Sequence, residues 1–222
     1  MFKMETHLHT SETSACAIST AQEMVQAHID AGYDGMIVTD HFFNGNTTVP
    51  SNLSWTKQVE LFCTGYENAV KAAENTPFKV FFGWEYGYHS TDLLTYGLDK
   101  TYLLEHPEIM EWSIDDYFNE VHKAGGFVSH AHPFREAFYI KRIRLFPELV
   151  DAIEVENASH TDPEFNKKAL VYAKKHKLLM TYGSDTHNAE NLRGGGMQFY
   201  HPINHIQDFI KAVKEGSYTN MK

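Results

Sequence analysis

Short apolar runs alternate with longer amphipathic stretches along the chain, and this alternation predicts strands followed by helices. The first apolar stretch closes on His7, Leu8 and His9. A second, at 35–39, follows a helix-like stretch from about 20 to 31 that opens with Ser19 and Thr20. Gln22 and Glu23 lie three residues on, a capping-box pattern in which hydroxyl and carboxyl satisfy each other's free backbone N–H groups. Further strands are expected near 78–83, 93–98, 126–130, 151–156 and 178–182, and helices near 54–74, 113–124, 163–176 and 204–215. The repeated order of strand, loop and helix favours a parallel sheet. About seven such repeats in a chain of this length suit a closed β/α barrel better than an open doubly wound sheet.

No Pro/Gly/Ser-rich linker, low-complexity run or fixed-period repeat interrupts the alternation, so residues 1–222 are read as one domain with a substantial core. The formal net charge of −10 argues against a broad grip on duplex nucleic acid, which needs clustered Lys and Arg, though it leaves room for a local basic pocket. Two cysteines, Cys16 and Cys63, are far apart and form no CxxC pair. They read as free thiols of a reducing compartment, not as a disulfide or a thiolate zinc site. No stretch approaches the roughly 20 apolar residues that span a bilayer. With no basic-then-apolar leader at the start, a cytoplasmic location is expected.

The chemistry lies where the strands end. His7/His9, Asp40/His41, Glu85, His130/His132, Glu154/Asn157 and Asp185/His187 each close an apolar segment. Neutral imidazole and carboxylate are the usual ligands of zinc, iron and manganese, and side chains at i and i+2 share one face of a strand. In a barrel every parallel strand points its C-terminal end at one mouth, so ligands scattered through the sequence converge there. Seven of the 14 histidines, His28, His106, His122, His160, His176, His201 and His205, sit in helical or loop contexts without ligand partners and read as ordinary.

Six segments carry a more specific likeness: His7-Leu8-His9-Thr10, Thr39-Asp40-His41, Gly83-Trp84-Glu85, Ala131-His132-Pro133, Ile153-Glu154-Val155-Glu156-Asn157 and Gly183-Ser184-Asp185-Thr186-His187. In these the sequence resembles the PHP family, named for its polymerase and histidinol phosphatase domains, over nearly its whole length. The resemblance implies a distorted seven-stranded β/α barrel with two or three divalent ions (Zn, Mn or Fe) at its C-terminal mouth. It places His7, His9 and Asp185 on one ion, Glu85 as a bridge, His41 and His187 on the second, and His132 on the third.

Two segments depart from that pattern. Where relatives carry an acidic or histidine ligand soon after the first motif, this chain reads Ser11-Glu12-Thr13-Ser14-Ala15-Cys16, and Glu12 is the candidate substitute, with water as the alternative. After Glu85 a ligand histidine is replaced by Asp92, with His89 competing; a carboxylate there hardens the site. Asp40 is expected to orient a ligand or handle protons, and His130 shares the His132 strand face, so both are candidates to protonate a leaving alkoxide. Arg135 and Arg193 are the candidate phosphate binders, because guanidinium grips phosphate bidentately and stays charged. Gly194-Gly195-Gly196 lacks the Lys-Ser/Thr of a nucleotide loop and reads as a turn.

A cluster of this composition suits hydrolysis by hydroxide held between ions. The expected activity is phosphoesterase action on a small phosphomonoester. The alternatives are a phosphodiesterase or exonuclease on nucleotides or short oligonucleotides, hydrolysis of a carbon–nitrogen bond on a related barrel, and a metal-binding module without turnover.

Overall fold

The structure is a computed structural model and describes residues 1–221. Strands β1 (Phe2–Leu8), β2 (Gly35–Val38), β3 (Lys79–Gly87), β4 (Asp92–Tyr96), β5 (Phe127–His130), β6 (Ala152–Asn157), β7 (Leu179–Gly183), β8 (Met197–Phe199) and β9 (Tyr218–Asn220) form one sheet. Their order is β7-β6-β5-β4-β3-β2-β1-β8-β9. Strand β1 also meets β7. The Asp185 N–H donates to the His7 carbonyl at 2.8 Å, the His9 N–H donates to the Thr186 carbonyl at 3.0 Å, and Leu8 bridges Thr186 in parallel. The seven strands β1 to β7 thus make a nearly closed, distorted barrel, and β8 and β9 extend it antiparallel beyond β1.

The sheet differs from the all-parallel barrel that the alternation predicts. Strands β1 to β3 run parallel, as do β5 to β7, but β4 is antiparallel to both neighbours. The physical reason is the connection: residues 88–91 form a tight turn, with Tyr88 and Thr91 exchanging backbone hydrogen bonds of 2.6 and 3.0 Å. A parallel crossover needs a dozen or more residues. The reversal matters for the site, because it puts the N-terminal end of β4, and with it Asp92, at the mouth where the parallel strands end.

The helices pack on the outer faces of this sheet. Helix α1 (Ala21–Asp30) starts with the expected capping box, Thr20 accepting from the Glu23 N–H and Glu23 accepting from the Thr20 N–H. The single helix expected at 54–74 is two, α2 (Trp55–Phe62) and α3 (Thr64–Ala72), broken at Cys63. In α3, Gly65 comes so close to the barrel that an added Cβ would lie 2.6 Å from Asp40 Oδ2. A short α4 (Lys100–Glu105), capped by Asp99, falls in a stretch where the sequence pattern predicts no helix. The remaining helices are α5 (Ile114–Lys123), α6 (Pro163–His176) and α7 (Ile206–Glu215).

Buried Ala21, Met24 and Val25 of α1 and Ala69 of α3 join Leu8, Met36 and Val38 in one core. Phe209, Ile210 and Val213 of α7 pack with Met4 and Phe127 in another, each large side chain contributing about 1.5–3 kcal/mol by leaving water. No helix among the described residues is long and apolar enough to cross a membrane.

One buried histidine belongs to this scaffold. His28 on α1 is 1% exposed, its Nδ1–H donates to the Met24 carbonyl at 2.7 Å, and burial pushes its pKa down to about 4. The unfolded chain therefore binds the extra proton. The stabilising preference for neutral His28 is complete above its ordinary pKa of 6.5 and is lost as pH falls from there through 4, a change of about 3 kcal/mol. Thermal unfolding between pH 7 and 4 is expected to flatten in His28→Gln; an unchanged pH slope would refute this role.

Candidate metal centre

The strand ends bring eight of the proposed ligands to one mouth. His7 and His9, both fully buried, project from the end of β1, and Glu85, 1% exposed, from β3. His41 lies just beyond β2, where it bridges Glu85 in parallel. His132, Asp185 and His187 follow the ends of β5 and β7, and Asp92 opens β4. His132 and Asp185 have φ values of 29° and 55°, sparsely populated for residues with a Cβ. Such backbone is held by its surroundings, and here both residues aim their side chains at the cluster.

Three overlapping groups of donor atoms each lie within 4.8 Å: His7, His9 and Asp185; His7, Glu85 and His132; and His9, His41 and His187. Asp185 Oδ1 is 3.5 Å from His7 Nε2 and 3.3 Å from His9 Nε2. Glu85 spans the groups: Oε1 is 3.3 Å from His7 Nε2 and 3.1 Å from His132 Nε2, while Oε2 lies 3.5 Å from His9 Nε2 and 2.7 Å from His41 Nδ1. Asp92 is at the margin, with Oδ2 4.0 Å from His132 Nε2. Its competitor His89 also lines the cavity above the cluster, with its carbonyl accepting from Arg144.

The surroundings fix which imidazole nitrogens face inward. His7 Nδ1 hydrogen-bonds Glu154 Oε1 at 2.8 Å, so Nε2 points at the carboxylates. Ser14 Oγ donates its single proton to Asp40 at 2.7 Å and therefore accepts from His9 Nδ1–H at 3.1 Å, leaving the lone pair on His9 Nε2. Metal-bound histidines commonly have such an outer carboxylate or hydroxyl partner.

The electrostatics ask for positive charge. Burial pulls the His7 pKa down, but Glu154, Asp185 and Glu85 together hold it well above the ordinary value. His41 is likewise pushed up to about 11 against its burial, chiefly by Glu85. His9, buried and beside His41 and His187, falls well below. Burial alone would raise Glu85 and Asp185, yet the charges of His41 and His7 on the first and of His7 and Arg135 on the second hold both well below the carboxylate range. Protons on His7 and His41 thus occupy positions that a divalent cation would take, and cation binding would release them. One buried atom, Glu85 Oε2, lies 2.7 Å from His41 Nδ1 but outside hydrogen-bond geometry. The donor set of buried imidazoles and carboxylates fits divalent metal ions.

Several expected site residues lie elsewhere. Glu12 faces away: its carboxylate accepts from the Ala21 N–H and from Asn68, capping α1. The turn at 10–14, closed by the Ser14 N–H to the Thr10 carbonyl at 2.9 Å, rotates it outward. Cys16 instead reaches the mouth as a free thiol, with Sγ 3.2 Å from His41 Nε2. Burial pushes this thiol up, but hydrogen bonds from His187 and His41 and their charge bring it down to about 6.

Asp40 does not reach the cavity, which corrects its reading as a proton donor to substrate. It is 2% exposed and accepts from the Thr10 N–H at 2.6 Å, Thr10 Oγ1 at 2.7 Å and Ser14 Oγ, so it positions His9 through Ser14. His130 is also no leaving-group acid. Its ring packs against Phe146, and burial with the nearby His132 charge holds it down to about 3, hence neutral. The shared strand face fails because β5 ends at His130 and the backbone turns left-handed at His132.

Arg193 is exposed in the loop before β8 and does not line the cavity. Arg135 does: its guanidinium pairs with Asp185 and its Nε donates to His160 at 3.2 Å. His160, read as ordinary, is thereby tied to the site.

Glu154 and Glu5 complete the support. Glu154 accepts from His7, from the His132 N–H at 2.9 Å and from Asn157 at 3.0 Å. Glu5 Oε1 gathers the N–H groups of Thr6, His7 and Ser184, each at 2.9 Å, where β1 meets β7. Only tertiary proximity reveals Glu5, since its partner Ser184 is 179 residues away.

The fold and this cluster define an α/β barrel with a candidate metal centre at its mouth. Residues 163–218 match the family model described as PHP-associated. A two-domain protein from Bacteroides vulgatus, said to contain a PHP-like metal-dependent phosphoesterase, superposes with a TM-score of 0.75 at 16% identity over 99% of this chain. This chain spans 64% of that protein's length. A protein from Bifidobacterium adolescentis, provisionally assigned as a metal-dependent phosphoesterase, matches with a TM-score of 0.57 at 14% identity, over 95% of this chain and 94% of its own. An amidohydrolase from Chromobacterium violaceum, solved with sulfate and no metal, gives 0.57 at 14% identity over 97% of each chain. No curated protein matches. The chain is thus similar to PHP-like proteins in its fold, and its segment 163–218 matches the PHP-associated model.

Proposed function

We propose that this protein is a metal-dependent phosphoesterase that hydrolyses a small phosphomonoester, with chemistry of the histidinol phosphatase kind. The carrying observation is a buried donor cluster at the floor of a cavity of about 570 Å³, with the Arg135 guanidinium in the cavity wall. Divalent ions, two or three in number and drawn from Zn, Mn and Fe, would supply Lewis-acid charge and acidify water. His7, His9 and Asp185 would hold one, His41 and His187 another and His132 a third, with Glu85 between them. Asp92 borders the His132 position, and Glu154 and Ser14 engage the Nδ1 atoms of His7 and His9 and turn their Nε2 atoms inward.

Arg135 has donors beyond those engaged by Asp185 and His160, and these suit the oxygens of a phosphoryl group. The acidic net charge disfavours long polyanions and supports a small substrate.

With Mn, Zn or Fe added, the purified protein is expected to release phosphate from a generic aryl phosphate, and to act more slowly on a bis-aryl phosphate or single-stranded oligonucleotide. Faster diester cleavage would reverse the assignment to a phosphodiesterase. Hydrolysis of amides without phosphate release would overturn it.

A further inference from the structure

Cys16 is a nucleophilic side chain at the mouth that the assigned ligand set leaves unused. We propose that it is itself a ligand, supplying a thiolate to the cation held by His41 and His187, so that this half of the site selects a thiophilic ion over manganese. The proposal rests on reading the cluster as a metal centre, and it adds the residue and the selectivity.

Geometry carries it. Sγ lies 3.2 Å from His41 Nε2. Sulfur and nitrogen bound tetrahedrally to one zinc ion, at about 2.3 and 2.0–2.1 Å, sit about 3.5 Å apart, so the pair needs only a small adjustment to share an ion. The segment bearing Cys16 is pinned on both sides. The Ala15 N–H donates to the Asn46 carbonyl at 2.8 Å, and the Ile18 N–H to the carbonyl of His187 itself at 2.8 Å. The loop is therefore tied directly to one of the residues whose ion it would complete.

A thiol–imidazole hydrogen bond alone would account for the 3.2 Å contact. A further observation points to an ion. Nitrogens of His9, His41 and His187 converge within 4.8 Å. Buried Glu85 Oε2 meets the other ring nitrogen of His41, Nδ1, at 2.7 Å, which leaves Nε2 to the Cys16 side. Three imidazoles with a thiol beside them make a mixed N/S donor set. Soft thiolate in such a set favours zinc or ferrous iron, whereas a purely oxygen and imidazole set accepts manganese readily.

The test uses the full chain stripped of metal and reloaded with cobalt(II), a spectroscopic stand-in for zinc. The wild type is expected to show a near-ultraviolet thiolate-to-cobalt charge-transfer band that is lost in Cys16→Ser and Cys16→Asp, while the Asp variant keeps its bound cobalt by elemental analysis. Zinc is expected to block iodoacetamide labelling of Cys16 and manganese to leave it open. Cys63 is fully buried and does not confuse the labelling. Cobalt bound without the band, or labelling unaffected by zinc, overturns the Cys16 proposal alone. A protein that takes up no cobalt overturns the metal centre as well.

Discussion

Replacing Asp185 by asparagine is expected to cut hydrolysis about 10³-fold or more, equivalent to the several kcal/mol of charge stabilisation that a Lewis-acid site contributes. Asp185 Oδ1 is the oxygen shared between His7 and His9, and the carboxylate is one of the anions that draw positive charge into the cluster. Asparagine keeps the shape and removes the charge. The fold should survive, because the Asp185 N–H still donates to the His7 carbonyl and asparagine tolerates the φ of 55° that most residues avoid. The same change releases Arg135 from its carboxylate partner, so substrate affinity should fall much less than turnover. Phosphate release and metal content, measured on a variant with unchanged thermal unfolding, test this. Full activity with a full complement of metal would remove Asp185 from the centre.

Much of the centre was legible because its motifs are local. The i, i+2 pair His7 and His9 needs only a strand to share a face, and Asp185 to His187 needs only the end of the next. Glu85, His41 and His132 could be placed because parallel strands end at one mouth. The misreadings all come from places where that simple geometry lapses.

Glu12 is the first acidic residue after the first motif, but a turn at 10–14 sends it to the N-terminus of α1 and presents Cys16 instead. His130 and His132 lie two apart, but the strand stops between them and the backbone changes hand. Asp92 reaches the mouth by a route the pattern did not contain. It begins an antiparallel strand, whose N-terminal end stands where its neighbours finish. Arg135 and Arg193 looked equivalent as charges near motifs, and only the path of the chain after His132 separates them.

Glu154 offers the sharpest test of how the outer residues control the inner ones. Glu154→Gln is expected to lower metal affinity about 10- to 100-fold, the range typical of an outer partner of a ligand histidine. The carboxylate presently accepts three hydrogen bonds: Oε1 from His7 Nδ1–H, and Oε2 from the His132 N–H and Asn157 Nδ2. A glutamine has one accepting oxygen and one donating nitrogen. If the oxygen stays on the His132 N–H and Asn157, the amide nitrogen meets His7 Nδ1 and donates to it. His7 must then carry its proton on Nε2, the atom that faces Asp185 and Glu85, and the ligand position is blocked. If the amide turns the other way, two donors collide with an NH₂ group and the loop at His132 shifts. Both arrangements weaken binding, whereas the bulk of the side chain and its burial are unchanged. Calorimetric titration with zinc, alongside imidazole nitrogen shifts that report the His7 tautomer, separates this from a loss of fold. Unchanged affinity with an unchanged tautomer would show that Glu154 has no hold on the centre.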